Sequence, residues 1–218
     1  MKTVVVIHTG PATVQPLKQQ FQEILPDIRV VNIMDDSLLN DVMDAGHLTE
    51  AVSGRILSYM QLGEKMGAVA LLNACSSVGE AVGLARTVIG VPIIKIDDTM
   101  AEKAVALGYK IGVVATVKTT LEPTVRLIRT KALAVGKDIE IVEALAEGAF
   151  QSLLDGKPEL HDEVVKRTIE TLAEKVDVVV LAQVSMARLV PHLANMKVPV
   201  LSSPQSGVQA VRDALVHL

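Results

Sequence analysis

TVVVIHTG, residues Thr3–Gly10, is an apolar, β-branched run that ends in small polar residues, which is typical of a buried strand and the turn after it. KIGVVATVKTT, Lys110–Thr120, has the same design, and Thr9 and Thr116 lie 107 residues apart. Two pairs of prolines share this spacing: Pro16 with Pro123, and Pro92 with Pro199. Three landmarks at one offset predict that the chain consists of two similar halves.

Both halves show the same predicted order: strand, helix, strand, longer helix, strand, and a short final strand. The first strands, the first helices and the longer helices are predicted at residues 3–9 and 110–116, after Pro16 and Pro123, and at residues 48–65 and 161–175. This alternation predicts an α/β fold of two pseudo-symmetric, duplicated lobes, each a mainly parallel sheet flanked by helices. We expect residues 1–97 with 205–218 to form the first lobe, and residues 98–204 the second.

The composition excludes several classes of protein. The 218 residues carry a net charge of −4 and include two Phe, two Tyr and no Trp. A basic surface and stacking aromatic residues are both missing, which argues against nucleic acid as a partner. No apolar run approaches the ~18 residues of a membrane helix, so no membrane partner is expected. The single cysteine excludes an internal disulfide and fits a reducing compartment, which predicts a cytoplasmic protein.

Small polar residues follow four of the predicted strands. Because ligands bind at the carboxyl ends of strands in such sheets, we expect these four segments to meet in a cleft between the lobes. Hydroxyl groups and free amides at strand-to-helix turns suit a carboxylate or a small phosphate. The predicted substrate-binding residues are Thr9, Gly10, Asn73, Ser76, Ser77, Thr116, Thr119, Thr120, Gln183, Val184 and Ser185.

Neither a cofactor nor a metal is expected. The phosphate-loop pattern and the dinucleotide-binding glycine pattern do not occur in the sequence. The acidic pairs at 35–36 and 97–98 are interpreted as solvated loop residues. The five histidines lack the spacing of metal ligands: His8, His47, His161, His192 and His217.

Cys75, in the stretch VALLNACSSVGEA at residues 69–81, is the candidate catalytic residue. It follows an apolar run at a predicted helix start, a position that lowers the pKa of a thiol. A lone cysteine can also be a small buried hydrophobic residue, but the polar neighbours Asn73, Ser76 and Ser77 favour a chemical role. His8 has two open interpretations: a second proton carrier, or a buried, hydrogen-bonded histidine.

Four motifs together resemble those of the Asp/Glu racemase superfamily, which includes aspartate, glutamate and hydantoin racemases, maleate isomerase and arylmalonate decarboxylase. HTGPAT is similar to its glycine-rich opening turn, and NACSS to its first catalytic-cysteine segment. VVATVKTT is similar to its carboxylate-binding turn, and VVVLAQVSMARL to its second-cysteine segment. The resemblance covers essentially the whole chain. It implies a cofactor-independent enzyme, a small carboxylic acid as substrate, and a homodimer or higher homo-oligomer.

The chain departs from the family pattern at the second cysteine. Laid on that segment, the sequence has Gln183 at the cysteine position, whereas the 107-residue offset from Cys75 points to residue 182. The resemblance therefore implies an isomerase or racemase-like enzyme that acts beside a carboxylate, with Cys75 as its single thiol acid/base or nucleophile. Two alternatives stay open: a decarboxylase or lyase of the arylmalonate type, and a carboxylate-binding protein without catalytic activity.

Overall fold

The computed structural model describes residues 1–216, so His217 lies outside the described residues. The chain divides into two compact units: Met1–Asp98 with the segment that begins at Pro204, and Thr99–Ser203. Each unit contains a four-stranded parallel sheet flanked by helices, which confirms the predicted α/β class. A membrane-spanning helix is not found among residues 1–216.

The first unit contains the four strands β1 to β4. Its elements are β1 (Thr3–His8), α1 (Val14–Ile24), β2 (Arg29–Met34), α2 (Ser37–Ala45), α3 (Glu50–Lys65), β3 (Ala68–Asn73), α4 (Ala81–Ala85) and β4 (Ile93–Lys95). The following elements are α5 (Asp98–Leu107), β5 (Lys110–Ala115), α6 (Lys118–Ala134), β6 (Glu140–Leu145), α7 (Ala149–Leu154), α8 (Pro158–Ala173), β7 (Val178–Leu181), β8 (Val200–Ser202) and α9 (Ser203–Val216).

The two sheets have the same strand order, β2-β1-β3-β4 and β6-β5-β7-β8. Their registers also match. In the first sheet Leu71 lies between Val5 and Ile93, and in the second Val179 lies between Gly112 and Val200. The offset is thus 107 residues for the first and fourth strands but 108 for the third, because the second unit has one extra residue before β7.

The first helix of each unit begins earlier than predicted. α1 begins at Val14 and α6 at Lys118, before Pro16 and Pro123 respectively. Pro16 lies in the first turn, where backbone N–H groups have no partner inside the helix, so its missing N–H costs little. Pro123 lies inside α6 and removes one hydrogen bond from that helix. α8 also begins early, at Pro158, because proline is favoured at the first helical position.

Both units bring a helix unusually close to the sheet through a glycine. In the first unit the glycine is on α3: a Cβ at Gly63 would lie 2.8 Å from Leu71 Cδ2. In the second it is on the strand: a Cβ at Gly112, the position that matches Val5, would lie 2.6 Å from Leu172 Cδ2 of α8. The small residue of this contact is therefore on the helix in the first unit and on the strand in the second.

We expect Gly112→Ala to destabilise the protein by about 2 kcal/mol, because overpacking a closed core forces side chains out of their preferred rotamers. Gly54→Ala is the control, since Gly54 is exposed on α3 and no atom lies within 4 Å of the added Cβ. That change should raise helix propensity and stabilise by up to ~1 kcal/mol. Urea unfolding measures both, and equal stability of the two variants would contradict the close packing at Gly112.

Candidate active site

Cys75 stands just beyond the carboxyl end of β3. The preceding residue continues the sheet, since Ala74 N donates to Ile7 O at 3.0 Å. Cys75 itself is extended, with φ −140° and ψ 122°, and caps the short 3₁₀ turn Ser76–Val78. The thiol is thereby placed at the edge of the sheet where parallel strands present their ligand-binding residues.

The Cys75 sulfur is surrounded by hydrogen-bond donors. They are the Thr9 hydroxyl, the Ser77 amide and hydroxyl, and the Val78 amide. Cys75 keeps a partly exposed surface, yet burial raises the pKa of its thiol by more than these hydrogen bonds lower it. The predicted lowering of the thiol pKa is therefore wrong. A three-residue 3₁₀ turn is too short to offset the desolvation of a thiolate.

The rate at which iodoacetamide alkylates Cys75 should therefore rise with pH around a midpoint above that of an ordinary thiol. Because the thiolate is the reactive form, the midpoint in the folded protein should lie above that of the same cysteine in urea. Thr9→Val removes a hydroxyl that lowers the pKa of Cys75, so it should move the midpoint higher still. Cys75 is the only cysteine, so mass spectrometry reports it without ambiguity. A midpoint below that of the unfolded chain would contradict the effect of burial.

The other predicted residues of the first unit gather around this turn. Asn73, the last residue of β3, donates from Nδ2 to Cys75 O at 2.8 Å and so holds the backbone of the turn. Thr9 follows β1, and Thr9, Ser76 and Ser77 are buried. Gly10 is extended, with φ 168°, and precedes the 3₁₀ turn Pro11–Thr13; no atom lies within 4 Å of a Cβ added there.

His8 is buried and hydrogen-bonded on both ring nitrogens. Nδ1 lies 2.6 Å from Thr13 Oγ1 and Nε2 lies 2.9 Å from Asn32 Oδ1. Burial lowers the pKa of His8 by more than the hydrogen bond to Asn32 raises it. Side chains alternate along a strand, so His8 faces away from the side on which Ile7 packs against the core with Cys75. This arrangement supports the buried, hydrogen-bonded interpretation of His8.

Gln183 occupies in the second sheet the position that Cys75 occupies in the first. Ala182 N donates to Val114 O at 2.9 Å, as Ala74 does to Ile7. Gln183 is extended, with φ −125° and ψ 140°, and caps the 3₁₀ segment Val184–Leu193. The register thus selects residue 183, rather than 182, as the match of Cys75.

The carboxamide of Gln183 is held in one orientation. Its Oε1 accepts from Thr116 N at 2.7 Å and from Thr116 Oγ1 at 2.9 Å. Thr116 matches Thr9, so the threonine contact to the Cys75 sulfur recurs at Gln183. A carbonyl oxygen accepts about two hydrogen bonds, so Oε1 is fully used, while Nε2 carries two further N–H donors.

The remaining predicted residues of the second unit follow the ends of β5 and β7. Thr120 is buried in the first turn of α6, and Thr119 Oγ1 is buried with no hydrogen-bond partner among residues 1–216. Val184 is buried beside Gln183, and Ser185 O accepts from Arg188 Nη1 at 3.0 Å. The second unit therefore collects hydroxyl and amide donors at one edge of its sheet.

One aspartate of each acidic pair is not simply solvated, contrary to the sequence-based interpretation, whereas Asp36 is exposed as expected. Burial would raise the pKa of Asp35, but hydrogen bonds from Tyr59, Ser37 and Arg55 together lower it to about 2. Asp97 is buried, and its Oδ1 lies 3.8 Å from Lys95 Nζ. Lys95, the last residue of β4, is not among the predicted residues, although a lysine that ends an apolar run is a visible signal. Among residues 1–216, no group of three or more acidic, histidine or cysteine side chains is arranged to hold a metal ion.

Comparison with known proteins assigns the class. A sequence model of the Asp/Glu/hydantoin racemase family matches residues 4–211, so the chain belongs to this family, and the predicted resemblance to the family is confirmed. No similar sequence was found among curated proteins.

Solved structures of several racemases share the fold. They include the aspartate racemase of Picrophilus torridus (18% identity, 98% of this chain and 94% of that chain, TM-score 0.76) and the allantoin racemase of Klebsiella pneumoniae (17%, 100% and 89%, 0.76). A glutamate racemase of Bacillus anthracis is similar too (16%, 99% and 82%, 0.76). At these identities the likeness shows the fold alone.

Proposed function

We propose that this protein is a cofactor-independent isomerase or racemase-like enzyme that acts at the carbon adjacent to the carboxylate of a small acid. Cys75 is its single thiol acid/base. The donors around the Cys75 sulfur support this function most directly, since amides and hydroxyls from Thr9, Ser77 and Val78 stabilise a thiolate when it forms. Family membership supports the reaction class.

The proposed chemistry is a reversible proton transfer. The thiolate of Cys75 takes the proton from carbon, and the electron pair of the C–H bond becomes the C=C bond of an enediolate. The negative charge then moves onto the carboxylate oxygens, where preorganised donors stabilise it. Gln183 Nε2 and Thr119 Oγ1 are suitable donors, because neither has its hydrogen-bonding capacity used elsewhere among residues 1–216.

A single thiol restricts the stereochemical course. In this proposal the substrate carbon lies against the Cys75 thiol, and the family pattern has its second cysteine where this chain has Gln183. A carboxamide neither takes nor gives a proton at neutral pH, so the proton leaves and returns on the Cys75 face. The expected reactions are proton exchange and same-face isomerisation rather than two-base racemisation.

A decarboxylase or lyase is the second candidate. The raised pKa of Cys75 favours it, because a thiol that keeps its proton can protonate the enediolate left by loss of carbon dioxide. A carboxylate-binding protein without catalysis is the third, and the replacement of the second cysteine by Gln183 favours it.

Proton NMR of small acids in D₂O tests these functions together. The panel contains amino acids, hydroxy acids, hydantoins and aryl malonates. Loss of the α-proton signal without change of the carbon skeleton indicates the proposed enzyme, and conversion to a deuterated monoacid indicates the decarboxylase. Binding seen by saturation transfer, with no exchange in any class, would contradict catalysis and leave the binding protein.

We also propose that the enzyme is a cytoplasmic homodimer or higher homo-oligomer, as the family resemblance implies. Size-exclusion chromatography with light scattering measures the mass directly. A 23.2 kDa species over the working concentration range would contradict the dimer.

A further inference from the structure

The carboxyl end of β4 carries polar side chains that the proposed reaction does not use. Lys95 pairs in register with Asn73 of β3. Residues in register on neighbouring parallel strands point to the same face, so these two side chains are neighbours. Lys95 Nζ lies 3.8 Å from Asp97 Oδ1 and 4.0 Å from Asp98 Oδ1. We call Asn73, Lys95 and Asp97 the β4-edge cluster.

The β4-edge cluster has unused hydrogen-bonding capacity. Asn73 and Asp97 are only 1% and 2% exposed, and the Oδ1 atom of each has no hydrogen-bond partner among residues 1–216. The side chain of Lys95 is 13% exposed, and its contacts to both carboxylates are longer than a hydrogen bond. Buried donors and acceptors left unpaired are costly, so this cluster is suited to a polar group that fits between them.

The cluster adjoins Cys75. Asn73 Nδ2 donates to Cys75 O, so the side chain of Asn73 is bonded to the backbone of the residue that carries the thiol. Lys95 lies against Gly79, which follows that turn: a Cβ at Gly79 would be 2.8 Å from Lys95 Cε and 3.5 Å from Nζ. A side chain at Gly79 would therefore displace the end of the lysine from this position.

The second unit shows that the fold does not need these polar groups. Its sheet register places Leu181 and Ser202 where the first unit has Asn73 and Lys95. Buried polar side chains at the matching edge are therefore a feature of the Cys75 unit, not of the duplicated architecture.

We propose that the β4-edge cluster is a subsite for a neutral carboxamide or ureido group of the substrate. This role rests on the proposed function, because it takes the ligand to be a small acid. Lys95 donates to the carbonyl oxygen of this group, and the N–H groups of the ligand donate to Asn73 Oδ1 and Asp97 Oδ1. A second carboxylate would meet two acceptor oxygens there, and an ammonium group would meet Lys95. An amide is the group whose donors and acceptors both match.

Four acids that differ only in their distal group test the subsite: succinamate, succinate, 4-aminobutyrate and butyrate. Calorimetry measures their binding to the full chain, in wild type and in the Cys75→Ser variant. Succinamate is expected to bind at least 10-fold more tightly than the other three. Lys95→Met should weaken succinamate at least 10-fold, as expected for a hydrogen bond from a charged group, and leave butyrate unchanged.

Two further variants complete the design. Lys95→Ser places at this position the residue that the second unit has there, and it should give the same loss in protein that still unfolds cooperatively in urea. Lys103→Met removes an exposed charge on α5 and should change nothing. Equal binding of all four acids, a preference for succinate or 4-aminobutyrate, or no binding of succinamate would overturn the subsite. Lysine-dependent succinamate binding, with no deuterium exchange in any class of the NMR panel, would instead retain the subsite and refute the catalytic proposal.

Discussion

Cys75→Ser is expected to abolish deuterium exchange at the substrate carbon while the protein still binds its ligand. A serine hydroxyl can take over the hydrogen bonds of the thiol but is far too weak an acid to form the anion at neutral pH. General acid–base catalysis by a positioned side chain contributes about 10²–10⁴-fold, so the rate should fall by at least the lower figure. NMR exchange rates and calorimetric affinities measure the two effects separately.

The control for this variant is the unfolding curve. Cys75 packs partly against the core of the first unit, and serine is smaller and more polar, so a modest loss of stability is expected. Cys75→Ala tests the same position without a hydroxyl. Undiminished exchange in either variant would remove the thiol from the mechanism, whatever the stability.

Gln183→Glu is expected to lower the exchange rate about 10²-fold or more, with weaker binding of the acid. Glutamate keeps an oxygen that accepts from Thr116 N and Oγ1, so the side chain should stay in place. The change replaces only the N–H₂ end with a negatively charged oxygen. Loss of one donor to a developing oxyanion typically costs 10²–10³-fold, and repulsion of the carboxylate adds to this.

Gln61→Glu is the matched control, because it adds the same charge at an exposed position of α3. It should leave both exchange and affinity at the wild-type level. If Gln183→Glu behaves like Gln61→Glu, the Nε2 group does not face the substrate and Gln183 has only a structural role.

Much of the fold could be predicted because the chain repeats its own pattern. Apolar runs that end in small polar residues recur at an offset of 107, and the sheets confirm that the two halves share one strand order. The helix starts were less accurate, because Pro16 and Pro123 were interpreted as boundaries although both lie inside helices. Proline is tolerated in the first turn of a helix and weakens or kinks a helix further in, so a proline does not by itself mark a helix boundary.

The site was harder to predict where its properties depend on burial or on which residues are neighbours across the sheet. Sequence placed Cys75 at a helix start and predicted a low thiol pKa, but desolvation, which depends on neighbours distant in the chain, raises it. The match of Gln183 to Cys75 needed the sheet register, since the offset changes by one residue between strands. Lys95 was missed because its relation to Asn73 exists only across the sheet.

The stereochemical course of exchange tests the single-thiol mechanism most directly. One enantiomer of the substrate identified in the NMR panel is incubated with the wild-type enzyme in D₂O, and both the α-proton signal and the optical rotation are followed. One thiol on one face predicts that deuterium replaces the proton while the optical rotation stays constant. Loss of rotation at the rate of deuterium uptake would show a second proton carrier on the opposite face and contradict the mechanism.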